Sequence, residues 1–278
     1  MSIPSIPLNS GTAIPQIGLG TWPLDDAQVA DTIVAAAEAG YRHIDTATRY
    51  GNEAGVGDGV RRTGIPREQF FITTKLDGTF QGSDRALDGM REALDRMRLD
   101  AVDLLLIHWP LPQRDEYVST WRTFEKIRDS GLARAIGVSN FKVAHLERLA
   151  AETGTVPAVN QVELSPATTR PAQREYHAAH GIVTEAYSPL GGRSGVREFL
   201  AHPVITSLAE RLGRTPAQVV LRWHVQQGVV AIPKSSDPAR LAQNLDVFSF
   251  DLSDDDMASL ATLSRGPDAG GDSDHIGH

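Results

Sequence analysis

The feature of this sequence that most restricts its fold is an eightfold alternation of short apolar segments with longer segments of helical periodicity. The short segments have the length of β-strands, and apolar side chains in the longer ones recur every three to four residues. One short segment, 102–107, is almost continuously apolar, which is typical of a parallel strand covered on both faces. The predicted strands are 17–22, 43–45, 70–75, 102–107, 133–138, a segment around 159, 182–186 and 229–232.

Helix signals lie between these strands. Asp25 or Asp26 can cap a first helix, and Gly40 is a typical stop signal. Ser83 is predicted to cap the helix that carries Leu87, Met90, Leu94 and Met97 on one face. Thr215-Pro216 combines a capping hydroxyl with proline at the first helical position. Further helices are predicted at 53–62, 118–127, 143–151 and 172–180.

This alternation predicts the α/β class and one (β/α)8 TIM barrel domain over residues 1–278. An open Rossmann sheet is disfavoured, since no Gly-x-Gly-x-x-Gly turn follows the first strand. Residues 5–17, with Asn9-Ser10-Gly11 at their centre, predict an N-terminal β-hairpin that caps the barrel. Residues 264–278 are rich in Gly, Asp and Ser and are predicted to form a flexible tail.

The net charge and the cysteine content restrict the kinds of partner and site that the protein can have. The net charge of −8 gives no general attraction to nucleic acid or anionic membranes, so a small-molecule partner is expected. The absence of cysteine excludes disulfides, thiol nucleophiles and thiolate metal sites. The first residues have no signal-peptide pattern and no window has the length of a membrane span, so a cytoplasmic protein is expected.

Four polar side chains lie at or just after three successive strands. Asp45 and Tyr50 follow the second strand, Lys75 ends the third and His108 follows the fourth. In a barrel of this kind such residues face one mouth, where active sites lie. An ammonium lowers the pKa of a nearby phenol, and an aspartate can hold that ammonium in place. His108 can hydrogen-bond to a substrate carbonyl. The four groups together predict a site that delivers a proton to a bound substrate.

Each of these residues alone also has an ordinary structural interpretation. Asp45 could cap the next helix, His108 could be a satisfied structural histidine, and Lys75 could lie on the surface. The rings of Tyr50 and Tyr187 could simply pack. It is their joint occurrence at successive strand ends that favours a site.

Three aromatic side chains near the strand ends are less clearly functional. Trp22 and Trp109 are expected to line the mouth as an apolar wall for substrate, with the alternative that they plug the barrel rim. His43 is expected to face the surrounding helices and is given no role.

The motifs around these positions resemble the aldo-keto reductases, in particular bacterial members similar to 2,5-diketo-gluconate reductases. The resemblance covers almost the whole chain. It lies in Asp45–Glu53, in Thr-Thr-Lys75, in Ile-His108-Trp-Pro and in the segments 137–141, 160–163, 186–191 and 232–235. It implies a carbonyl reductase on a (β/α)8 barrel, with Asp45, Tyr50, Lys75 and His108 as catalytic residues.

The resemblance also implies a binding site for NADPH. The carboxamide of the nicotinamide would be bound by Ser139, Asn140 and Gln161, and Tyr187 would stack on the ring. The pyrophosphate would lie under residues 188–192, which include Ser188, Pro189 and Leu190. The remaining cofactor-binding positions are Gly20, Thr21, Trp22 and Ile232, with Lys234, Ser235 and Arg240 at the 2′-phosphate and Gln243 and Asn244 near the adenine.

The charges agree with this interpretation, since cations beside a hydroxyl at a helix start suit a phosphate. Taken alone, a cluster such as Lys234 to Arg240 is usually just a solvated helix start. NADPH is therefore predicted over NADH. The predicted reaction is hydride transfer to a carbonyl carbon while Tyr50 protonates the oxygen, with Trp22, Tyr50, His108 and Trp109 contacting substrate and no metal required.

Two other functions are compatible with a barrel. A metal hydrolase or sugar isomerase would require clustered His and carboxylate ligands at the strand ends, whereas one His and one Asp stand there among Tyr and Lys. A regulatory or sensor barrel could bind nicotinamide without catalysis, but it would not need Tyr50 and Lys75 together.

The predicted mouth is open, because 112–117 and 191–197 are short and the tail lacks bulky residues. Small aldehydes, ketones, dicarbonyls or keto-sugar acids are the expected substrates. Arg49 stands at a position that is often apolar or aromatic in relatives. The family resemblance favours a monomer.

Overall fold

The computed structural model describes residues 3–192, 195–267 and 269–278, and its centre is a sheet of eight parallel strands. Each strand is hydrogen-bonded to its neighbours in chain order. The strands are β3 (Leu19–Gly20), β4 (His43–Asp45), β5 (Phe71–Leu76), β6 (Val102–Ile107), β7 (Ala133–Ser139), β8 (Val159–Glu163), β9 (Val183–Tyr187) and β10 (Val230–Ala231).

The sheet closes on itself next to its first strand. Ile17 forms a parallel bridge with Ala231. Gly18 N donates to Ala231 O at 2.9 Å, and Ala231 N donates to Gln16 O at 3.0 Å. The predicted α/β class and TIM barrel are thereby confirmed.

Helices surround the strands. Their bounds are α1 (Asp26–Ala39), α2 (Glu53–Arg62), α3 (Ala86–Met97), α4 (Tyr117–Asp129), α5 (Val143–Glu152), α6 (Pro171–His180), α7 (Val196–Leu200), α8 (Pro203–Leu212), α9 (Pro216–Gln226), α10 (Pro238–Leu245) and α11 (Asp254–Ala261). The sequence did not predict α7, α8 and α11. Helices α7 and α8 precede α9 in the connection between β9 and β10, and α11 follows α10 after the last strand. None of the three therefore fits an alternation of one helix per strand.

The contacts at the helix ends show which of the predicted capping residues form caps. Asp25 Oδ1 accepts from Gln28 N at 2.8 Å, and Gly40 ends α1 with a φ of 113°, a conformation that favours glycine. Thr215 Oγ1 accepts from Gln218 N at 3.2 Å and caps α9 as predicted. The prediction that Ser83 caps α3 is wrong. Its hydroxyl donates to the adjacent Asp84 side chain, and α3 begins three residues later.

A hairpin closes the end of the barrel opposite the strand carboxyl ends. Strands β1 (Ser5–Pro7) and β2 (Ala13–Pro15) pair antiparallel, as predicted. Ile14 is fully buried and packs with side chains at the start of the barrel strands, among them Phe71 and Val159. This apolar plug seals the bottom of the barrel, which leaves the carboxyl end of the strands as the end with a mouth.

The last residues of the sequence lie over that mouth. Lys142 forms ion pairs with Asp272 and, at 2.6 Å, with Asp274. His278 Nδ1 lies 3.0 Å from Asp77 Oδ2, and Gly78 N donates to His278 O at 3.1 Å. The mouth is therefore less open than the sequence predicts. The predicted mobility of the tail stays a prediction. No helix in the described ranges has the length and apolarity to cross a membrane.

Candidate active site

The four predicted catalytic side chains converge at the carboxyl ends of β4, β5 and β6. Lys75 Nζ donates to Asp45 Oδ1 at 2.5 Å and to Thr46 O at 3.1 Å. It also donates to the hydroxyl of Tyr50 at 3.3 Å. The rings of Tyr50 and His108 meet edge to face with their centroids 5.8 Å apart. The structure thus places a phenol between an ammonium and an imidazole.

Backbone pairing positions these groups. Lys75 lies opposite Leu106 in the parallel ladder between β5 and β6, and Asp45 lies opposite Thr73 in the ladder between β4 and β5. His108 N donates to Leu76 O at 3.1 Å, which continues the ladder by one residue. Tyr50 ends a short 3-10 helix, Thr48–Tyr50, directly after β4. Three of the four side chains are thus held by strands, and one by a loop.

Burial and charge act in opposite directions in this cluster. Burial raises the pKa of the Asp45 carboxyl, while its contacts with Lys75 and Gln161 oppose the rise. Burial disfavours the charged form of Lys75, but the charges of Asp45 and Tyr50 outweigh it and raise its pKa above the ordinary value. Burial, with the nearby Lys75 ammonium, lowers the pKa of His108 well below its usual range. At neutral pH, His108 is therefore a neutral imidazole.

Side chains with amide and hydroxyl groups line the adjoining ends of β7, β8 and β9. Asn140 Nδ2 donates to His108 O at 3.0 Å and to Ser139 Oγ at 3.1 Å. Tyr187 OH donates to Asn140 Oδ1 at 2.8 Å. Gln161 Nε2 donates to Asp45 Oδ2 at 2.8 Å. The predicted carboxamide-binding residues and the predicted stacking tyrosine thus adjoin the catalytic cluster.

Two buried residues next to Gln161 differ from the sequence predictions: Glu185 was not predicted, and His43 was expected elsewhere. Glu185 Oε2 accepts from Gln161 Nε2 at 2.8 Å and was not predicted. His43 is fully buried, with Nε2 3.2 Å from Thr73 Oγ1 and 3.6 Å from Glu185 Oε1. The expectation that His43 faces the helices is wrong, because side chains of a strand alternate with a period of two and His43 shares the face of Asp45. The same period from Tyr187 would have found Glu185.

Aromatic side chains form one wall of the mouth. Trp22 is 41% exposed, and its ring lies 5.2 Å from that of Tyr50. Trp109 lies beside His278, with ring centroids 6.1 Å apart, and His278 contacts the ring of His108 at 4.6 Å. Both tryptophans therefore border the mouth rather than plug the barrel.

Arg49 and Asp77 form another part of the rim, next to His278. The half-exposed Arg49 places Nη1 3.6 Å from Asp77 Oδ2, and the carboxyl of Asp77 is also hydrogen-bonded to His278. Hydrogen bonding from His278 lowers the pKa of Asp77 far below its usual range. Arg49 is thus directed toward the mouth, a point that the sequence left open.

The other predicted cofactor residues extend from the mouth along one side of the barrel. The buried Thr21 Oγ1 has no hydrogen-bond partner among the described residues, and a Cβ at Gly20 would lie 3.0 Å from Ile232 O. Ser188 has a φ of 49° and accepts from Gly191 N at 3.2 Å. This tight turn also holds Pro189, which is buried, and Leu190, which is partly buried.

The predicted phosphate residues lie before and at the start of α10, and the predicted adenine residues lie in its last turn. Lys234, Arg240 and Gln243 are exposed, whereas Ser235 and Asn244 are buried. Asp237 Oδ1 caps the helix by accepting from Ala239 N and Arg240 N at 2.9 and 3.1 Å. The exposed cations of Lys234 and Arg240, and the buried hydroxyl of Thr21, which has no hydrogen-bond partner among the described residues, suit a dinucleotide with an added phosphate. In the described part of the chain, no three His, Asp or Glu side chains group as a metal site.

Comparison with known proteins identifies the family. Residues 16–265 match the model of the aldo/keto reductase family. An aldo-keto reductase of Mycolicibacterium smegmatis is 49% identical over 271 residues, which cover 97% of this chain and 96% of that protein. The methylglyoxal reductase DkgA of Escherichia coli is 42% identical and covers 98% of each chain. The chain belongs to the aldo/keto reductase family.

A solved structure gives the same result for the fold. A mutant of Gox0644 in complex with NADPH superposes with a TM-score of 0.93 at 42% identity, and the match covers 100% of both chains. The predicted family, the oxidoreductase activity and NADPH as the cofactor of carbonyl reduction are confirmed at the level of the family by these relatives.

Proposed function

We propose that this chain reduces small aldehydes, ketones or keto-sugar acids to alcohols with NADPH, and that Tyr50 donates the proton. The observation that carries the proposal is the contact of the Tyr50 hydroxyl with the buried ammonium of Lys75 at 3.3 Å, at the mouth of the barrel. A phenol that must give up a proton is best placed beside a fixed positive charge.

When bound, NADPH supplies the hydride that reduces the carbonyl carbon. Tyr50 transfers its phenolic proton to the carbonyl oxygen, so that the two additions give the neutral alcohol. The O–H bond of Tyr50 breaks, and the Lys75 ammonium stabilises the phenolate that remains. Asp45 keeps Lys75 charged and oriented through their 2.5 Å contact. Tyr50, which is partly exposed, recovers its proton from solvent.

His108 is proposed to orient the substrate. As a neutral imidazole it can donate one hydrogen bond to the carbonyl oxygen without adding a second positive charge beside Lys75. Its backbone carbonyl is held by Asn140, and its ring packs on Tyr50. An oxygen between the Tyr50 hydroxyl and the His108 ring is therefore polarised by one group and protonated by the other.

The cofactor is proposed to lie from the amide cluster to α10. Ser139, Asn140 and Gln161 would hold the carboxamide, and Tyr187 would pack against the ring. The turn at Ser188 would contact the pyrophosphate. Lys234 and Arg240 are exposed at the start of α10, so they are available to a 2′-phosphate. The predicted preference for NADPH over NADH rests on these two cations.

Finer assignments are part of the same proposal. The chain is proposed to be a single-domain, cytoplasmic monomer. Arg49 at the rim favours small carbonyls with a polar or anionic substituent, since an arginine beside the reacting group attracts such substituents.

The proposal is tested with a panel of small aldehydes, ketones and keto-sugar acids, in which NADPH consumption and alcohol formation are both measured. We expect equal amounts of NADPH oxidised and alcohol formed, and a higher kcat/KM with NADPH than with NADH. Carbonyl reduction that is equally efficient with NADH would contradict the role of Lys234 and Arg240. Tight NADPH binding without reduction of any carbonyl would favour a sensor barrel.

A further inference from the structure

Glu185 is a fully buried carboxyl that the proposed reaction does not use. It lies in β9, pairs in the ladder with Val230 of β10, and points into the barrel, where 0% of its surface is exposed. A buried acid is costly unless a partner compensates it. Its position next to the amide cluster indicates that it acts on that cluster.

The contacts of Glu185 form one continuous chain with the catalytic lysine. Gln161 Nε2 has two hydrogens, and it donates one to Asp45 Oδ2 and the other to Glu185 Oε2, both at 2.8 Å. Asp45 in turn binds Lys75. With both hydrogens used, the amide nitrogen of Gln161 faces the two carboxyls, and its oxygen is the atom left for another donor.

The titratable groups around Glu185 lie on β4 and β5, two strands that are paired with each other. Asp45 and His43 face it from β4, and Lys75 faces it from β5. One ammonium can balance only one carboxylate in a buried cluster. Lys75 contacts Asp45 directly, whereas Glu185 reaches it through Gln161 and Asp45. Glu185 is therefore the acid that carries a proton.

The pKa shifts of Glu185 and His43 agree with a proton on Glu185. Burial raises the pKa of Glu185 to about 8, with a further contribution from the charge of Asp45. Burial lowers the pKa of His43 to about 3, so this imidazole is neutral and supplies no compensating charge. Ionisation of Glu185 above about pH 8 adds an unbalanced negative charge to the cluster.

We propose that Glu185 is a positioning residue, which accepts a hydrogen bond from Gln161 so that the amide oxygen faces the nicotinamide site, and which sets the charge beside that site by its own protonation. The inference rests on the proposed function, in which Gln161 binds the carboxamide. Ionised Glu185 keeps the hydrogen bond but places a negative charge near the nicotinamide. The oxidised ring is positively charged, so its affinity rises, whereas that of the neutral reduced ring does not.

The test compares dissociation constants of NADP⁺ and NADPH by fluorescence titration at pH 7 and pH 9.5. Their ratio removes the titration of the phosphates, which both cofactors share. In the wild type we expect the ratio of the NADP⁺ constant to the NADPH constant to fall on the order of tenfold at the higher pH, the effect of about one pKa unit of charge interaction. Glu185→Gln, which keeps the acceptor oxygen and cannot ionise, should abolish the change.

A matched control is Asp103→Asn, which alters another buried carboxyl at the opposite end of the barrel, where Asp103 binds Arg67 and Arg134. This variant should keep the pH dependence of the wild type. A Glu185→Gln protein with an unchanged pH dependence would overturn the proposal, as would a wild type whose ratio does not change with pH.

A second readout does not depend on the cofactor. The infrared difference spectrum between wild type and Glu185→Gln should show a protonated-carboxyl band at pH 7 that disappears at pH 9.5. Absence of the band at pH 7 would overturn the inference even if carbonyl reduction is observed. Presence of the band in a protein that reduces no carbonyl would instead contradict the proposed function and leave the protonation of Glu185 standing.

Discussion

The two halves of the candidate site are built differently. The inner half, Asp45, Lys75 and Gln161, is at most 2% exposed and is connected by hydrogen bonds of 2.5 to 2.8 Å between barrel strands. The outer half contains Arg49 and His278, which are partly exposed and belong to a loop and to the tail. The inner half is fixed by the sheet, whereas the outer half depends on solvent-screened contacts.

This difference assigns different kinetic roles to the halves. A buried ion pair keeps its strength because little solvent screens it, and its geometry follows from strand register. Exposed pairs contribute about 1 kcal/mol or less and readily exchange with water or ligand. We therefore expect changes in the inner half to act on kcat and on stability, and changes in the outer half to act on KM.

The largest effect is expected from Lys75→Met, which keeps the length of the side chain and removes its charge. The loss of the ammonium beside Tyr50 should lower kcat roughly 10³-fold. It also leaves Asp45 as an unpaired buried carboxylate, so the free energy of unfolding should fall by about 3–5 kcal/mol. Steady-state kinetics and urea denaturation measure the two effects.

The double variant Lys75→Met/Asp45→Asn separates chemistry from stability. With both charges removed, most of the stability should return, whereas kcat should stay low. A double variant that recovers activity together with stability would show that the pair serves only folding.

The inner half could be predicted from the sequence because strand ends in a parallel barrel share one mouth. Asp45 and Lys75, and His108 beside them, could be predicted from their positions relative to apolar segments alone. Glu185 was missed although its period-two spacing from Tyr187 was available, since its chain neighbours offered no catalytic motif. His43 was expected on the wrong face of its strand although it stands two residues before Asp45 and therefore shares the face of that residue.

The outer half could not be predicted in the same way. The contact between His278 and Asp77 joins residues 201 positions apart, and no periodicity links them. The sequence of the tail, rich in Gly and Asp, predicts no element that would dock. The orientation of Arg49 likewise depends on Asp77, whose position follows from a turn after β5.

A smaller effect is expected at the cofactor end of the candidate site, where Lys234 and Arg240 are exposed. Replacing Lys234 and Arg240 together with Ala should raise the KM for NADPH roughly tenfold to a hundredfold, because each charge-assisted contact with a phosphate is worth about 1.5–3 kcal/mol before solvent screening. The KM for NADH should change less than about twofold. An equal rise in the KM for both cofactors would show that the 2′-phosphate binds elsewhere.

The smallest effect is expected from ending the chain after Gly271, which removes the contacts of Asp274 with Lys142 and of His278 with Asp77. These are partly exposed pairs, so the KM for carbonyl substrates should change by less than about tenfold and kcat by less than about twofold. A large fall in kcat would show that His278 belongs to the chemistry and that the division between the halves is incorrect.

The central claim, that Tyr50 delivers the proton from the end of the inner network, is tested most directly by single-turnover reduction with Tyr50→Phe. Mixing the variant, loaded with NADPH, with a good aldehyde substrate reports the rate of hydride transfer, and fluorescence titration reports cofactor affinity. We predict a rate at least about 10³-fold below that of the wild type, with the NADPH dissociation constant changed by less than about threefold. Retention of most of the rate would contradict the account, because another group would then have to protonate the carbonyl oxygen.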